Sequence, residues 1–119
     1  KGFLDASAPG DIWLTCEQDG VPIGFCYAVQ EKLTDGTYNM LAIAVLPSAQ
    51  NKGAGGALVQ ALEEMLRQQG HRVLIADTSG TEAFKKTRAF YERKGYTREA
   101  TIRDFWAAGD DKITYWKAL

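Results

Sequence analysis

LAIAVLPSAQNKGAGGALVQALEEMLRQQG, residues 41–70, reads as an apolar strand, a proline, a glycine-rich turn and an amphipathic helix closed by glycine. The run Met40 to Leu46 is nearly continuously apolar, as expected for a strand covered on both faces, and Pro47 ends its ladder by removing a donor. Between Gln50 and Gly56 the small or Cβ-less residues let the backbone turn sharply into a helix with several N–H groups pointing outward. The helix dipole adds partial positive charge at that point and Lys52 adds a full one, so a phosphate or pyrophosphate is the natural ligand. Helical spacing puts Leu58, Ala61, Leu62, Met65 and Leu66 on one stripe, with Gln60, Glu63, Glu64, Arg67 and Gln68 opposite and Gly70 as the C-cap.

The chain on either side fits this unit into a sheet. Ile12 to Gln18 and Ile23 to Gln30 read as strands around the hairpin signal Asp19-Gly20, and Asp35-Gly36 leads to a third strand from Thr37 to Val45. After the helix, Val73 to Thr78 is a short buried strand that a crossover sets parallel to the strand ending at Val45. A second helix is expected over Glu82 to Lys94, with Ala83, Phe84, Thr87, Phe90 and Tyr91 on its covered side and Gly95 closing it. Tyr96 to Arg103 and Lys112 to Ala118 read as two strands joined by a loop, and Phe3 to Ala8 as a helical remnant. The fold class is α/β (α+β): one domain over 1–119, with a mixed central sheet, an antiparallel meander, then βαβ, and two main helices.

Bulk properties narrow the function. Fourteen basic residues against fifteen acidic ones give no global field for nucleic acid or an acidic membrane surface, so a phosphate site must be local. No apolar run approaches the roughly twenty residues of a membrane span, and the start lacks signal-peptide regions, so the chain reads as cytoplasmic. Cys16 and Cys26 lie in apolar strands without CxxC spacing, and His71 stands alone, so free thiols and no metal are expected.

Two familiar nucleotide motifs fail on spacing. A Walker A loop needs Gly-Lys-Ser/Thr entering its helix, whereas Lys52 precedes Gly53 and no hydroxyl follows. A dinucleotide fingerprint needs a third glycine where Leu58 stands. What fits is Val45-x-Pro47-x-x-Gln50-x-x-Gly53-x-Gly55, followed downstream by Phe90-Tyr91-Glu92-Arg93-Lys94-Gly95-Tyr96. With both motifs in order, the chain resembles the GCN5-related N-acetyltransferases (GNAT), and the ending from Asp104 to Lys112 plus a last strand looks like a small-molecule branch of that family.

The resemblance implies an acyl-CoA-dependent N-acetyltransferase that moves an acetyl group from acetyl-CoA to a primary amine of a small molecule or peptide by direct attack, without a metal. A non-catalytic acyl-CoA-binding or sensing domain is the alternative. It implies that the parallel strands splay so that the pantetheine arm enters between them, bound by backbone groups near Ile43 and Val45. Gln50, Asn51, Lys52, Gly53, Ala54, Gly55 and Gly56 cradle the pyrophosphate. Tyr91 takes the place beside the coenzyme sulfur, and the backbone N–H near Val45 serves the oxyanion. Asp77, near the end of its strand and approaching the acceptor side, is the choice for the catalytic base, with Glu17 and Glu31 on or after the hairpin strands as the other carboxylates and Asp104, Asp110 and Asp111 as turn residues that could attract the amine; Lys85, Lys86 and Arg88 are the cations for the 3′-phosphate. Members of the family usually place a strand and two helices before the strand that starts here at Ile12. A shortened acceptor wall is therefore expected, completed by further chain or by a second copy in a homodimer. Phe84 stands where many members carry asparagine, so that contact is not carried over.

Overall fold

Positive backbone φ at both Asp19 (53°) and Gly20 (79°) gives the tight turn whose twist matches two antiparallel strands. It joins β1 (Ile12–Gln18) to β2 (Val21–Gln30), and β2 pairs in turn with β3 (Thr37–Val45). The computed structural model describes residues 10–119, so the helical remnant expected over 3–8 lies outside the described residues.

After Pro47–Ala49, a single 3-10 turn, the chain enters α1 (Ala54–Gln68) and then β4 (Val73–Ser79). α1 ends in a glycine cap: Gly70 has φ 84°, and the N–H groups of Gly70 and His71 donate to Arg67 and Leu66 carbonyls. β4 is parallel to β3, as the crossover requires, while all other neighbours in the sheet are antiparallel. A 3-10 turn at Glu82–Phe84 leads into α2 (Lys85–Arg93), closed by Gly95 at φ 89° with Tyr96 N–H donating to Tyr91 O. β5 (Thr97–Ala107) and β6 (Asp110–Ala118) complete a six-stranded sheet in the order β1-β2-β3-β4-β6-β5. The last strand thus inserts beside β4 and leaves β5 as an edge.

Both helices cover one face of this sheet. Leu58, Val59, Leu62, Leu66 and Tyr91 pack on Cys26, Ala28, Tyr38, Met40, Leu74, Ala76, Ile113 and Tyr115, alternate residues of neighbouring strands. Three expectations need correction. On α1, Ala61 is exposed, whereas Val59 and Glu63 are buried, because the sheet meets the helix one residue round from the expected stripe. Phe84 is 44% exposed, since the 3-10 turn rotates it away from the covered side. The loop expected after Arg103 is instead a continuation of β5: Asp104, at φ 55°, donates its N–H to Asp111 Oδ1 and accepts from Gly109 N–H. These bonds absorb an irregularity in the β5–β6 register without ending the strand.

Candidate active site

The pairing of β3 with β4 runs only from Thr37↔Val73 to Met40↔Ala76. Beyond it, Leu41 to Val45 and Asp77 to Ser79 have no partner in each other, so the parallel strands splay as expected. On its other side β3 stays bonded to β2, and Leu46 N–H donates to Ile23 O. By strand alternation Val45 and Ile43 therefore turn their N–H and C=O groups toward the splay. The Val45 carbonyl is already taken by Gln50 Nε2 at 3.0 Å, which ties the glycine turn to the strand end. Gly24, opposite Val45, admits no side chain, because a Cβ there would lie 2.9 Å from Ala44 O.

The glycine turn opens into the same space. Asn51 and Gly53 have φ of 63° and 86°, and Gly53 caps α1 without a side-chain bond. The first-turn N–H groups of α1 thus face outward. A cleft of about 650 Å³ runs from this turn along β3 to α2. Of the residues expected to hold the coenzyme, Ile43, Val45, Gln50, Asn51, Gly53, Ala54, Gly55 and Gly56 line it; Lys52 is exposed outside it. Its far wall is α2, with Lys86, Thr87, Phe90, Arg93 and Lys94.

The cations divide differently from expectation. Lys85 pairs with Glu82 at 3.8 Å, and Arg88 donates to the carbonyls of Ser79 and Thr81. Among the three considered, only Lys86 lines the cleft. Arg93 and Lys94, which the sequence offers only as members of the second motif and not as cations for the coenzyme, line the cleft as well. Lys94 Nζ sits so close over Gly56 that a Cβ there would approach it to 2.6 Å. Lys94 forms no ion pair among the described residues, so it adds a full positive charge to the partial one at the start of α1. The available sequence signal was the Phe90, Lys94 spacing, which sets the lysine on the face that Phe90 turns toward Gly55.

Tyr91 is 3% exposed on the helix side of the sheet, stacked on Tyr115 with ring centroids 5.4 Å apart. Its hydroxyl has no hydrogen-bond partner among the described residues, and burial, aided by the charge of Asp77, pushes its pKa up to about 12. It is a phenol that stays protonated. Asp77 is the first residue of β4 past the paired segment and points to the opposite face from Ala76 and Thr78. Its Oδ1 accepts from Thr114 Oγ1 at 2.6 Å and its Oδ2 from Asn39 Nδ2 at 3.4 Å, with Lys112 Nζ at 3.9 Å. Asn39 Nδ2 also donates to Glu31 Oε2, which brings that carboxylate to Asp77, whereas Asn39 Oδ1 accepts nothing among the described residues. Tyr91 and Asp77 therefore lie on opposite faces of the sheet, and neither is among the residues that line the cleft between the glycine turn, β3 and α2.

The remaining carboxylates stay with the turns. Asp110 accepts from Ser79 Oγ, Asp111 from Asp104 N–H, and Asp104 from Gly109 N–H, while Glu17 is exposed on β1. Cys16 and Cys26 are free thiols; burial pushes Cys26 up to about 11, which makes it unreactive. Among the described residues no three His, Cys, Asp or Glu side chains are grouped to hold a metal ion, and no helix is long and apolar enough to cross a membrane.

A mixed sheet splayed between two parallel strands, with a glycine-rich turn opening one helix beside the gap and a second helix forming the far wall of the cleft, is an acetyltransferase architecture. A family model for the acetyltransferase (GNAT) domain matches residues 9–98, and the chain belongs to the GNAT acetyltransferase family, in which acetyl transfer to amines is general. It is 32% identical over 104 residues to the uncharacterised N-acetyltransferase YhfO of Bacillus subtilis, covering 83% of this chain and 68% of that protein. The crystal structure of a GNAT-family protein from Desulfovibrio desulfuricans superposes with a TM-score of 0.91 at 36% identity, covering 98% of this chain and 73% of that one. An aminoglycoside 6′-N-acetyltransferase complexed with coenzyme A shares the fold at a TM-score of 0.82 and 18% identity, over 99% of this chain and 78% of that one.

Proposed function

We propose that the protein transfers an acetyl group from acetyl-CoA to a primary amine of a small molecule. The observation that carries this reading is the break in β3–β4 pairing after Met40 and Ala76, with Tyr91 on one side of the sheet and Asp77 on the other. Acetyl-CoA fits the cleft residues: the α1 N-terminus, Lys94 and Arg93 suit a pyrophosphate, and the splay-facing backbone of Ile43 and Val45 suits the amides of a pantetheine arm. The thioester then lies at the head of the splay.

The amine nitrogen attacks the thioester carbonyl carbon from the Asp77 side, forming C–N as C–S breaks. Val45 N–H, fixed in place before any ligand arrives, stabilises the oxyanion. The departing thiolate takes a hydrogen bond from Tyr91, and the proton shed by the amine nitrogen passes through water to the sulfur, so that amine and acetyl-CoA give amide and free coenzyme A thiol. Asp77 holds and orients the amine, and Asn39 Oδ1 offers an acceptor for one of its N–H groups. Titration calorimetry with acetyl-CoA, followed by thiol release across a panel of small amines, tests the assignment. Binding with turnover on at least one amine is expected. Absence of acetyl-CoA binding by folded protein overturns it, and binding without turnover on any amine leaves an acyl-CoA-binding domain instead.

A further inference from the structure

Lys112 precedes Ile113, whose side chain is buried against the helices, so it points with Thr114 to the opposite face of the sheet, where Asp77 lies. Its Nζ stands 3.9 Å from Asp77 Oδ2 and 4.1 Å from the centre of the Phe105 ring, and the lysine and aspartate side chains are each 18% exposed. Phe105 comes over it where the β5–β6 register is irregular, between Ile102 and Ala107. Trp106, edge-on to Phe105, is anchored by its Nε1–H, which donates to Thr78 O at 3.3 Å. A carboxylate on one side and an aromatic face on the other is a seat for an alkylammonium. The other described lysines are placed elsewhere: Lys32 and Lys52 in exposed loops, Lys85 beside Glu82, Lys86 and Lys94 in the coenzyme cleft, and Lys117 on Glu63.

The seat coincides with the place that the acceptor amine takes beside Asp77. Asp77 begins the unpaired end of β4, and Lys112 is registered opposite Ser79, two residues further along that end. The chain thus holds a primary amine of its own where a substrate's amine is to be oriented. Being tethered there, it needs no encounter with a second molecule, and its effective concentration exceeds that of a dissolved amine. Nor is it locked in place. At 3.9 Å its ion pair is longer than a hydrogen bond, and Phe105 is 48% exposed, whereas Lys117 Nζ is fixed by hydrogen bonds to Glu63 and to Lys94 O.

We infer that Lys112 is a site of self-acetylation, modified by the acetyl-CoA bound to its own chain when no other acceptor is present. As the neutral amine, Lys112 Nζ attacks the thioester carbonyl carbon, and C–N forms as C–S breaks. The proton shed by nitrogen passes through water to the sulfur, leaving Nε-acetyl-lysine and free coenzyme A thiol. The step rests on the acetyl-transfer reading and adds an internal acceptor to it. The acetylated side chain is uncharged, so the ion pair with Asp77 and the cation contact with Phe105 are both lost, and the reaction ends after one acetyl group per chain.

Peptide mass spectrometry on the full chain, after incubation with saturating acetyl-CoA in amine-free buffer, tests it. One added acetyl group, about 42 Da, is expected on Lys112. It forms with a first-order rate constant that stays the same when the protein is diluted about tenfold, as a step within one chain requires. An amine that the enzyme acetylates, added in excess, slows the modification, because both compete for the place beside Asp77. Lys112→Arg keeps a cation for Asp77 and Phe105 but offers no nucleophile, and it abolishes the modification; Lys32→Arg, in an exposed loop, leaves it unchanged. Circular dichroism confirms that both variants are folded. Turnover on small amines with Lys112 left unmodified overturns this inference alone. Acetyl groups spread evenly over exposed lysines, a rate constant that scales with protein concentration, or undiminished incorporation in Lys112→Arg overturn it as well. Binding of acetyl-CoA with neither turnover nor modification removes the acetyltransferase reading together with it.

Discussion

Tyr91 is the residue whose chemistry the fold changes most. In water a phenol near 10 and a thiol near 8.5 are close in acidity. Inside this core the phenol rises to about 12, so handing its proton to an ordinary free thiolate is uphill by roughly 3.5 pK units, or about 5 kcal/mol. That gap favours a strong hydrogen bond to a thiolate still forming, with the proton remaining on tyrosine until solvent reaches the product. Tyr91→Phe is accordingly expected to lower kcat by about a hundredfold while the KM for acetyl-CoA changes little. The pH profile discriminates further. Because Tyr91 stays protonated through the neutral and mildly alkaline range, the variant lowers the rate without removing an ionisation from that range. Unchanged steady-state kinetics in a folded variant overturn the role. Asp77 differs in kind, since Thr114, Asn39 and Lys112 already surround its carboxylate, and a group so held is better suited to fixing a charge than to shuttling one.

At the scale of elements, the join between α1 and the β5–β6 hairpin rests on Glu63. This carboxylate is 6% exposed, accepts from Tyr96 Oη at 2.6 Å and pairs with Lys117 Nζ at 3.1 Å, and Lys117 also donates to Lys94 O beside the cleft. Removing a buried acceptor strands its donors, so Glu63→Ala is expected to cost about 2–4 kcal/mol, and Glu63→Gln, which keeps an acceptor for Tyr96, about half as much. Urea unfolding checks this: the midpoint falls with the slope unchanged. Glu63 also shows where the sequence stopped being legible. The first hairpin, the crossover and the glycine caps are readable from local patterns, because turns and helix ends are set by residues within a few positions, whereas the run of β5 past Arg103 depends on its bonds to Asp111 and Gly109. A glutamate on a helix reads as solvent-facing from its own neighbours; only contacts 33 and 54 residues away make it an interior group. The same holds for the site. The cleft's lining from the strand end through the glycine turn is contiguous in sequence and legible there, whereas Lys94 and Arg93 reach the cleft from α2, and Asn39 and Thr114 reach Asp77 from separate strands.

For the molecule as a whole, the interior is unusually rich in phenols, and this fixes how it responds to alkali. Tyr91, Tyr96 and Tyr115 are each at most 4% exposed, and each is shifted upward, chiefly by burial; Glu63 adds to the shift at Tyr96 and Glu92 at Tyr115. In the unfolded chain all three ionise near pH 10. Between that point and the folded-state values, near 12 for Tyr91 and Tyr115, the unfolded chain has lost protons that the folded one retains. Unfolding then releases protons, so stability falls as pH rises. The contribution is fully present below about pH 10 and disappears as pH climbs through the folded pKa; Tyr91 alone accounts for roughly 2–3 kcal/mol. Urea midpoints are therefore expected to hold steady from neutral pH to about 9.5 and then drop steeply, with phenolate absorbance near 295 nm appearing together with loss of helical dichroism. Tyr91→Phe removes one of the three ionisations and makes the alkaline fall shallower. Ionisation of all five tyrosines near pH 10 in protein that remains folded is the result that contradicts this account, because part-exposed Tyr27 can give up its proton there but Tyr91, Tyr96 and Tyr115 could do so only if open to water.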